Sequence, residues 1–198
     1  ELVRTLRDFT NPDPRAGPLA DVEKRLEFAR SVRRRSIEEH ADRWAQAIES
    51  IADKERCPRY GGLRIEPQLG LIPLGRRPET GLWEFACLDT GTVPDGDGVE
   101  ARFGIDETSA VVLILVPGGS FLMGTDGSDA ESFAYEVAHR TTLKPYFLSK
   151  YEITQGQWLR ATGENPSYFR PGSHEDVAAT LLNPVTNVAW PRCDDVAR

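Results

Sequence analysis

This chain of 198 residues has few of the residues that build metal centres, disulfide frameworks or membrane spans. Its three cysteines and three histidines show none of the Cys-x-x-Cys or Cys/His spacings that are typical of zinc sites. The cysteines are odd in number and far apart, so they indicate neither a disulfide framework nor a compartment. No apolar run reaches the length of about 18 residues that a membrane span needs. We therefore expect a soluble segment that does not itself cross a membrane.

An excess of positive charge is also missing. The formal net charge is −7 and the pI is about 5.1, which argues against a nucleic-acid-binding surface. Basic residues cluster at positions 30–35, but Glu23, Glu27, Glu38 and Glu39 flank them. We interpret this cluster as a solvated helix face, with a binding patch as the alternative.

The remaining composition is that of an ordinary globular protein, with 39% hydrophobic and 28% charged residues. The length allows one domain plus an appendage. The chain begins at Glu1 without a basic and apolar leader, and it ends soon after a helix start signal at Pro191. We expect it to be a piece of a longer protein.

Residues 1–57 are predicted to form a helical connector. A polar, proline-interrupted start is followed from Leu19 by apolar residues at steps of three and four, with neither Pro nor Gly before Pro58. This spacing predicts one long amphipathic helix, although Arg33 interrupts its stripe. The helix either packs on its own domain or serves as a coiled-coil connector to another domain or subunit. The stripe consists of Val22, Leu26, Ala29, Ile37, Ala41, Trp44, Ile48 and Ile51.

Residues 58–109 are predicted to form an irregular lead-in that contains β-structure. Pro67, Gly70, Pro73 and Gly75 divide the first part into short extended pieces. The sequence GLWEFACLDTG alternates between turn residues and therefore predicts a strand. A turn-rich, acidic loop, TVPDGDGVEARFG, follows.

Residues 110–198 begin with AVVLILVP, a run that predicts a strand buried on both faces. We expect Phe121–Met123 to be its hairpin partner, because Gly118 and Gly119 permit the positive φ of a tight reversal. A phosphate-binding loop at these glycines is disfavoured, since a strand-like segment and not a helix follows. Residues 141–154 alternate well enough for two further strands.

The last part of the chain carries helix and turn signals. Thr154 is predicted to cap a helix that runs through Trp158, a core residue, and stops at Gly163. The triplet Asn165-Pro166-Ser167 predicts a turn. Residues 185–190 are predicted to be a short strand, before a helix in which Cys193 is a small buried hydrophobe.

Chemistry-bearing residues are sparse. A metal site built from His139, Asp126, Asp129 and Glu131 is conceivable, but such irregular spacing is more typical of solvated loop carboxylates. Neither His40 nor His174 has a convincing partner. We assign no catalytic, metal-binding or cofactor-binding residue, and the pattern identifies no substrate-binding residue.

Four ordered segments resemble the opening half of the formylglycine-generating enzyme (sulfatase-modifying factor) family. The chain departs from the family at Val137, where a proline is usual, and at Thr141, where a valine is usual. Three upstream segments resemble the region before this domain in bacterial serine/threonine kinase fusions. They are ADRWAQAIESIAD, CPRYGGLRIEPQLGLIPLG and GLWEFACLDTG. The four segments are Val116–Gly124, Phe147–Trp158, Asn165–Ser167 and Pro184–Trp190.

The family resemblance implies an α+β fold similar to that of C-type lectins, of which residues 110–198 would be a truncated N-terminal half. Family members convert a substrate cysteine to formylglycine with oxygen and a copper(I) ion held by two cysteines. That pair and the calcium ligands lie in the C-terminal half, and none of Cys57, Cys87 and Cys193 matches them. We expect no cofactor in this chain, and copper and calcium only in an intact domain.

The resemblance to kinase fusions implies a kinase domain before Glu1 and, in many such proteins, a membrane anchor outside this chain. No kinase motif is present here. Three functions stay open: a binding or regulatory module beside a bacterial kinase, which we favour; part of the copper-dependent oxidase; or a non-haem iron branch, which would need a histidine cluster. We expect a protein or peptide ligand. For the chain alone we expect no activity and low protection from proteolysis after Val116, with the helix from Leu19 to Ile51 better ordered.

Overall fold

The computed structural model describes residues 1–12, 17–94, 104–125, 133, 136–173 and 178–197. Helices and strands mix, as expected for an α+β protein. None of the helices described is long and apolar enough to cross a bilayer. The helices are α1 (Leu2–Phe9), α2 (Pro18–Ser36), α3 (Ala41–Ala52), α4 (Gln155–Thr162) and α5 (Trp190–Ala197). The strands are β1 (Leu71–Arg76), β2 (Trp83–Cys87), β3 (Val112–Val116), β4 (Gly119–Met123), β5 (His139–Leu143) and β6 (Tyr146–Ser149).

The prediction of one long N-terminal helix is wrong, because the helix breaks after Ser36. A short 3₁₀ turn, Glu38–His40, separates α2 from α3. The buried Ser36 hydroxyl donates to the Val32 carbonyl at 2.6 Å and accepts the Gly70 N–H at 3.1 Å. Its carbonyl accepts the Trp44 indole N–H at 2.8 Å instead of continuing the helix. The chain therefore turns around Ser36, and this turn lets α3 pack on the sheet.

The basic cluster at the end of α2 forms ion pairs on the surface. Arg33 lies 3.4 Å from Glu38, and Arg34 is paired with Glu39. These side chains are mostly exposed, which supports the interpretation of a solvated helix face.

Four strands form an antiparallel sheet in the order β1-β2-β3-β6, and β4 and β5 form a separate two-stranded ribbon. The prediction that β3 and residues 121–123 form a hairpin is therefore wrong. β3 has β2 and β6 on its two edges, which leaves no free edge for β4. The glycines between β3 and β4 do not adopt positive φ. Gly118 is instead needed for a close approach, since a Cβ there would lie 2.7 Å from the Leu143 carbonyl oxygen.

The core lies between α3 and one face of the sheet. The rings of Trp44 and Phe85 are 5.6 Å apart, and Phe147 meets Phe85 edge-on at 5.2 Å. Ala47 and Ile51 of α3 are fully buried in the same cluster. A smaller apolar cluster of Leu74, Ala86, Ala110 and Val112 covers part of the opposite face. The strand predictions for β2 and β3 are confirmed. Burial of β3 on both faces is not, because three of its five residues are only partly buried.

Three polar side chains are buried at the sheet with their hydrogen bonds satisfied. The Tyr60 hydroxyl donates to the Leu115 carbonyl at 2.9 Å and accepts the Trp83 N–H at 2.7 Å. The Ser50 hydroxyl accepts the Trp83 indole N–H at 3.2 Å. Glu84, on the opposite face, lies 2.8 Å from Lys150 Nζ and 3.3 Å from Arg77 Nε. Burial of these groups is tolerated because each has its partners in place.

Of the helix and the strand predicted for residues 154–190, only the helix is present. The helix predicted after Thr154 is confirmed with a capping box and with Gly163 in the left-handed conformation at its end. The strand predicted at residues 185–190 is wrong, because only Pro184 forms an isolated bridge, to Thr154. The Val185 N–H donates to the Ile153 carbonyl at 2.9 Å, and this contact fixes the segment without a ladder.

Candidate functional site

A cavity of about 630 Å³ opens where α2, α4, α5, the turn after β2 and residues 185–188 meet. Its volume lies in the range of small-molecule and peptide-side-chain pockets. Most of its wall is apolar, and this wall includes Val111, Ile153, Trp158, Val185 and Val188. Elements from distant parts of the sequence thus build one concave, largely hydrophobic surface.

Charged groups from α2 and the turn after β2 stand at the rim of the cavity. Lys24 lines the cavity from α2, and Asp89 lines it from the turn. Asp89 adopts φ 69°, and its carboxylate accepts from the Arg35 guanidinium at 2.8 Å. That contact joins α2 to the sheet, so the position of Lys24 depends on it.

Arg160 of α4 lines the cavity, but its guanidinium is committed to the backbone. It donates to the carbonyls of Thr90 at 3.0 Å, Glu107 at 2.7 Å and Ser109 at 2.8 Å. Three carbonyls from the two ends of the β2–β3 connection are thereby joined to α4. Arg160 therefore holds the cavity wall in place, and its guanidinium does not offer a charge to a ligand.

The floor of the cavity is built by the first turn of α4. Gln157 accepts the Thr154 N–H at 3.0 Å and donates to the Ser109 carbonyl at 3.3 Å. Trp158 is 6% exposed, which confirms the prediction that it is a core residue. Its side chain also lines the cavity. The capping box thus fixes both the helix and the cavity floor.

A buried amide holds the segment 184–188 over α4. The Gln155 amide donates to the carbonyls of Phe169 at 2.8 Å and Pro184 at 3.4 Å, and accepts from Asn165 Nδ2 at 2.8 Å. The Ser167 N–H donates to Asn165 Oδ1 at 3.2 Å, which confirms the predicted turn. The Ser167 hydroxyl accepts the Thr186 N–H at 3.0 Å. These polar residues of the sequence motifs therefore hold in place a segment that lines the cavity with Val185 and Thr186.

The residues considered for a metal site are not brought together. His139 lies exposed on β5, with Nδ1 2.9 Å from the Val137 carbonyl oxygen. Asp126, Asp129, Glu131 and His174 lie outside the described residues. Across the described part of the chain, no three His, Cys, Asp or Glu side chains are grouped so that they could hold a metal ion.

The three cysteines occupy unlike environments. Cys57 is 1% exposed in the core, with its thiol 3.2 Å from the Ser50 hydroxyl. Burial, and then the charge of Asp89, raises the pKa of the Cys87 thiol. Cys193 is exposed and lines the mouth of the cavity, so the prediction that it is buried is wrong. Its helix α5 has an open cavity on this side where a core was expected.

These cysteines do not fit the copper(I) ion of the resemblance. Copper(I) is held by a pair of thiolates, which need low pKa values and a shared position. The three thiols lie just before the 3₁₀ turn Pro58–Tyr60, at the end of β2 and on α5, and the pKa of Cys87 is shifted away from thiolate formation. The arrangement can enclose an apolar group, and it offers no paired thiolates for redox chemistry.

Sequence reasoning missed Lys24 and Asp89, which face the cavity only because the break at Ser36 and the Arg35–Asp89 pair bring α2 to the sheet. The turn residues Asp89, Thr90 and Gly91 were the available signal in the sequence, because Asp tolerates the positive φ that Asp89 adopts and such turns can present side chains.

Comparison with known proteins gives one domain match and one relative. Residues 101–197 match the model of the sulfatase-modifying factor enzyme 1-like domain. The chaperone protein LppX of Paenibacillus barcinonensis is 31% identical over 78 residues, which are 39% of this chain and 22% of the relative. The chain thus spans about a fifth of that relative's length. No solved structure matches the chain.

Proposed function

Starting from the sulfatase-modifying factor enzyme 1-like match of residues 101–197, we propose that this chain belongs to a ligand-binding, regulatory module rather than to an oxidase. The observation that carries the proposal is the cavity of about 630 Å³, whose wall is mostly apolar and is held in place by Gln155 and Arg160. In the intact protein, such a module would report the bound ligand to a linked kinase domain.

The chemistry of the cavity supports a ligand with apolar side chains and an acidic group. Arg160 and Asp89 are already paired within the protein, so they contribute shape more than charge. The ammonium group of the exposed Lys24 stands at the rim, where it can pair with a carboxylate. Apolar walls with one cation at the edge suit the side chains of an acidic, hydrophobic peptide.

A polypeptide ligand is also favoured by the matched relative, which is named a chaperone protein. The cysteines of this chain give the oxidase alternative no support, because Cys57 is buried against Ser50 and the pKa of Cys87 is raised. That alternative would depend on a cysteine pair in the C-terminal half of the domain. The iron alternative would need histidines together, yet His40 lies beside α3 and His139 on the ribbon.

The test is a selection from a random peptide library displayed on phage, with the full chain as bait and an Ala161→Trp variant as competitor. Ala161 lines the cavity, so an indole there would fill it. Ala45→Trp is the matched control, because Ala45 is an exposed alanine on the outer side of α3.

We expect selected peptides to carry apolar and acidic residues and to bind the Ala161→Trp variant at least about tenfold more weakly. Lys24→Glu should weaken binding of the same peptides, and Ala45→Trp should leave it unchanged. Peptides that bind the native chain and the filled variant equally would show that the cavity is not the binding site.

A further inference from the structure

Helix α2 carries an apolar stripe that the described part of the protein leaves uncovered. Leu19, Val22 and Leu26 are 38%, 56% and 46% exposed, and Ala29 continues the stripe at the surface. Their spacing of three, four and three residues is the a/d pattern of a helix–helix seam. The stripe of α3 is satisfied within the domain, because Trp44, Ala47 and Ile51 are buried.

The stripe faces away from the rest of the molecule. Lys24 lines the cavity and Arg35 binds Asp89, so these positions mark the side of α2 that faces the domain. Val22 and Leu26 are each two residues from Lys24, which is about 200° around a helix. The apolar seam and the cavity wall are therefore opposite sides of one helix, and both can be occupied at once.

We infer that this surface pairs antiparallel with α2 of a second copy of the chain. All the acidic residues of α2, Asp21, Glu23 and Glu27, lie in its first half together with Lys24 and Arg25, whereas the second half carries four arginines and no acidic residue. Antiparallel pairing about a two-fold axis sets the acidic residues of one helix near the arginines of the other. Glu23 of each copy then flanks Arg30 of its partner beside the Leu26 and Ala29 layers.

A parallel pairing of the same helices is disfavoured by its charges. In a parallel coiled coil, the residue directly before an a position is a g position. It lies beside the e position of the partner helix, which is five residues further along the sequence. With Leu26 at a, this rule sets Arg25 beside Arg30 and leaves Glu23 without a basic partner. Like charges in those positions destabilise the pair, so the charge pattern selects one orientation.

A lipid surface is a poorer occupant than a second copy. Membrane-surface helices carry lysine and arginine beside their apolar face, where they meet anionic lipids. Here Glu23 and Glu27 directly follow the stripe residues Val22 and Leu26. Helix α1, which contacts α2, adds exposed Leu2, Val3, Leu6 and Phe9.

The first experiment is sedimentation equilibrium of the full chain over a wide concentration range. A 19-residue helix is about 28 Å long. Such a small interface predicts a dimer with a Kd on the order of 10 μM. Leu26→Glu should abolish the dimer, whereas Leu69→Glu, at a leucine 59% exposed outside the helices, should leave it intact. Circular dichroism confirms that both variants are folded.

Charge reversal then tests the orientation. Glu23→Arg and Arg30→Glu alone should each raise the Kd by roughly threefold to tenfold, and the double variant should restore the dimer. Failure of the double variant to restore it would overturn the antiparallel pairing, as would a monomer at all concentrations. Cosedimentation of the monomer with phosphatidylglycerol vesicles, lost in Leu26→Glu, would assign the stripe to a membrane surface and also overturn the inference.

Discussion

The four-stranded sheet and the two-stranded ribbon are both antiparallel but have very different surroundings. Phe85 in β2 is fully buried between Trp44 and Phe147, whereas Phe121 in β4 is 45% exposed. Both strands are paired antiparallel, so pairing alone does not account for the difference. The difference comes from α3, which covers one face of the sheet, while no described helix covers the ribbon.

This comparison shows that strand pairing and burial are separate contributions to stability. A two-stranded ribbon is marginal in water, because its backbone hydrogen bonds exchange with water at little net gain. The sheet adds the burial of large aromatic rings to the same hydrogen bonds. Stability should therefore concentrate in the sheet and α3, and the ribbon should open without unfolding the rest.

The largest expected effect separates the two phenylalanines. Phe85→Ala should lower the free energy of unfolding by about 3–5 kcal/mol, since it leaves a cavity among packed rings. Phe121→Ala should lower it by less than about 1 kcal/mol, because the ring is partly in water already. Urea denaturation followed by circular dichroism measures both. Equal losses would mean that the ribbon is packed as tightly as the sheet.

The second expected effect concerns the buried carboxylate of the sheet. Glu84→Gln leaves Lys150, 12% exposed, without its counter-charge and should cost roughly 2–4 kcal/mol. Glu79→Gln is the matched control, because Glu79 lies 3.8 Å from the same Arg77 but is 47% exposed; it should cost about 0.5 kcal/mol or less. Urea denaturation of the two variants measures both free-energy losses. If the two variants are equally stable, the Glu84 pair contributes no more than a surface ion pair.

The third expected effect is a pH dependence. Burial raises the pKa of Tyr60 to about 12 from 10.0. Between these values the unfolded state loses the proton and the folded state keeps it, so stability falls as pH rises through this window. The loss attributable to Tyr60 should reach about 2 kcal/mol near pH 12.

Tyr60→Phe should be less stable at neutral pH, because the Leu115 carbonyl loses its donor, and should lack this part of the alkaline loss. Urea denaturation of both proteins from pH 9 to 12 measures the difference. Parallel pH curves for the two proteins would show that Tyr60 ionises equally in the folded and unfolded states.

The smallest expected effect lies at the start of α4, beside the cavity. Thr154→Ala removes the capping hydroxyl and should cost about 1 kcal/mol, whereas Thr154→Ser should restore most of it. Because Gln157 also builds the cavity floor, the alanine variant should bind selected peptides more weakly. Thermal unfolding and peptide titration check the two effects separately. A serine variant as unstable as the alanine variant would show that the methyl group, and not the cap, matters.

Local signals explain what could be predicted. The cap of α4 is encoded by Thr154, Gln157 and Gly163 within ten residues, and β3 is encoded by one apolar run. The turn at Asn165 could be predicted for the same reason. In each case the residues that decide the structure are neighbours in the chain.

Contacts over long sequence distances explain what could not be predicted. The helix break at Ser36 depends on Gly70, 34 residues later, and β3 pairs with β6 instead of the nearer β4. The cavity is lined by Lys24, Asp89 and Val188, which lie far apart in the sequence, so no local pattern could indicate that they meet. Tertiary hydrogen bonds and strand order override local patterns at these points.

The three cysteines differ in exposure, so the order in which they are chemically modified can report successive steps of unfolding. Cys193 is exposed, Cys87 is half-buried and Cys57 is sealed in the core. An alkylating reagent should therefore modify Cys193 at once, Cys87 when the end of β2 opens, and Cys57 only when α3 leaves the sheet. Mass spectrometry of one labelled sample would then record local and global opening in the same molecule, without any introduced probe.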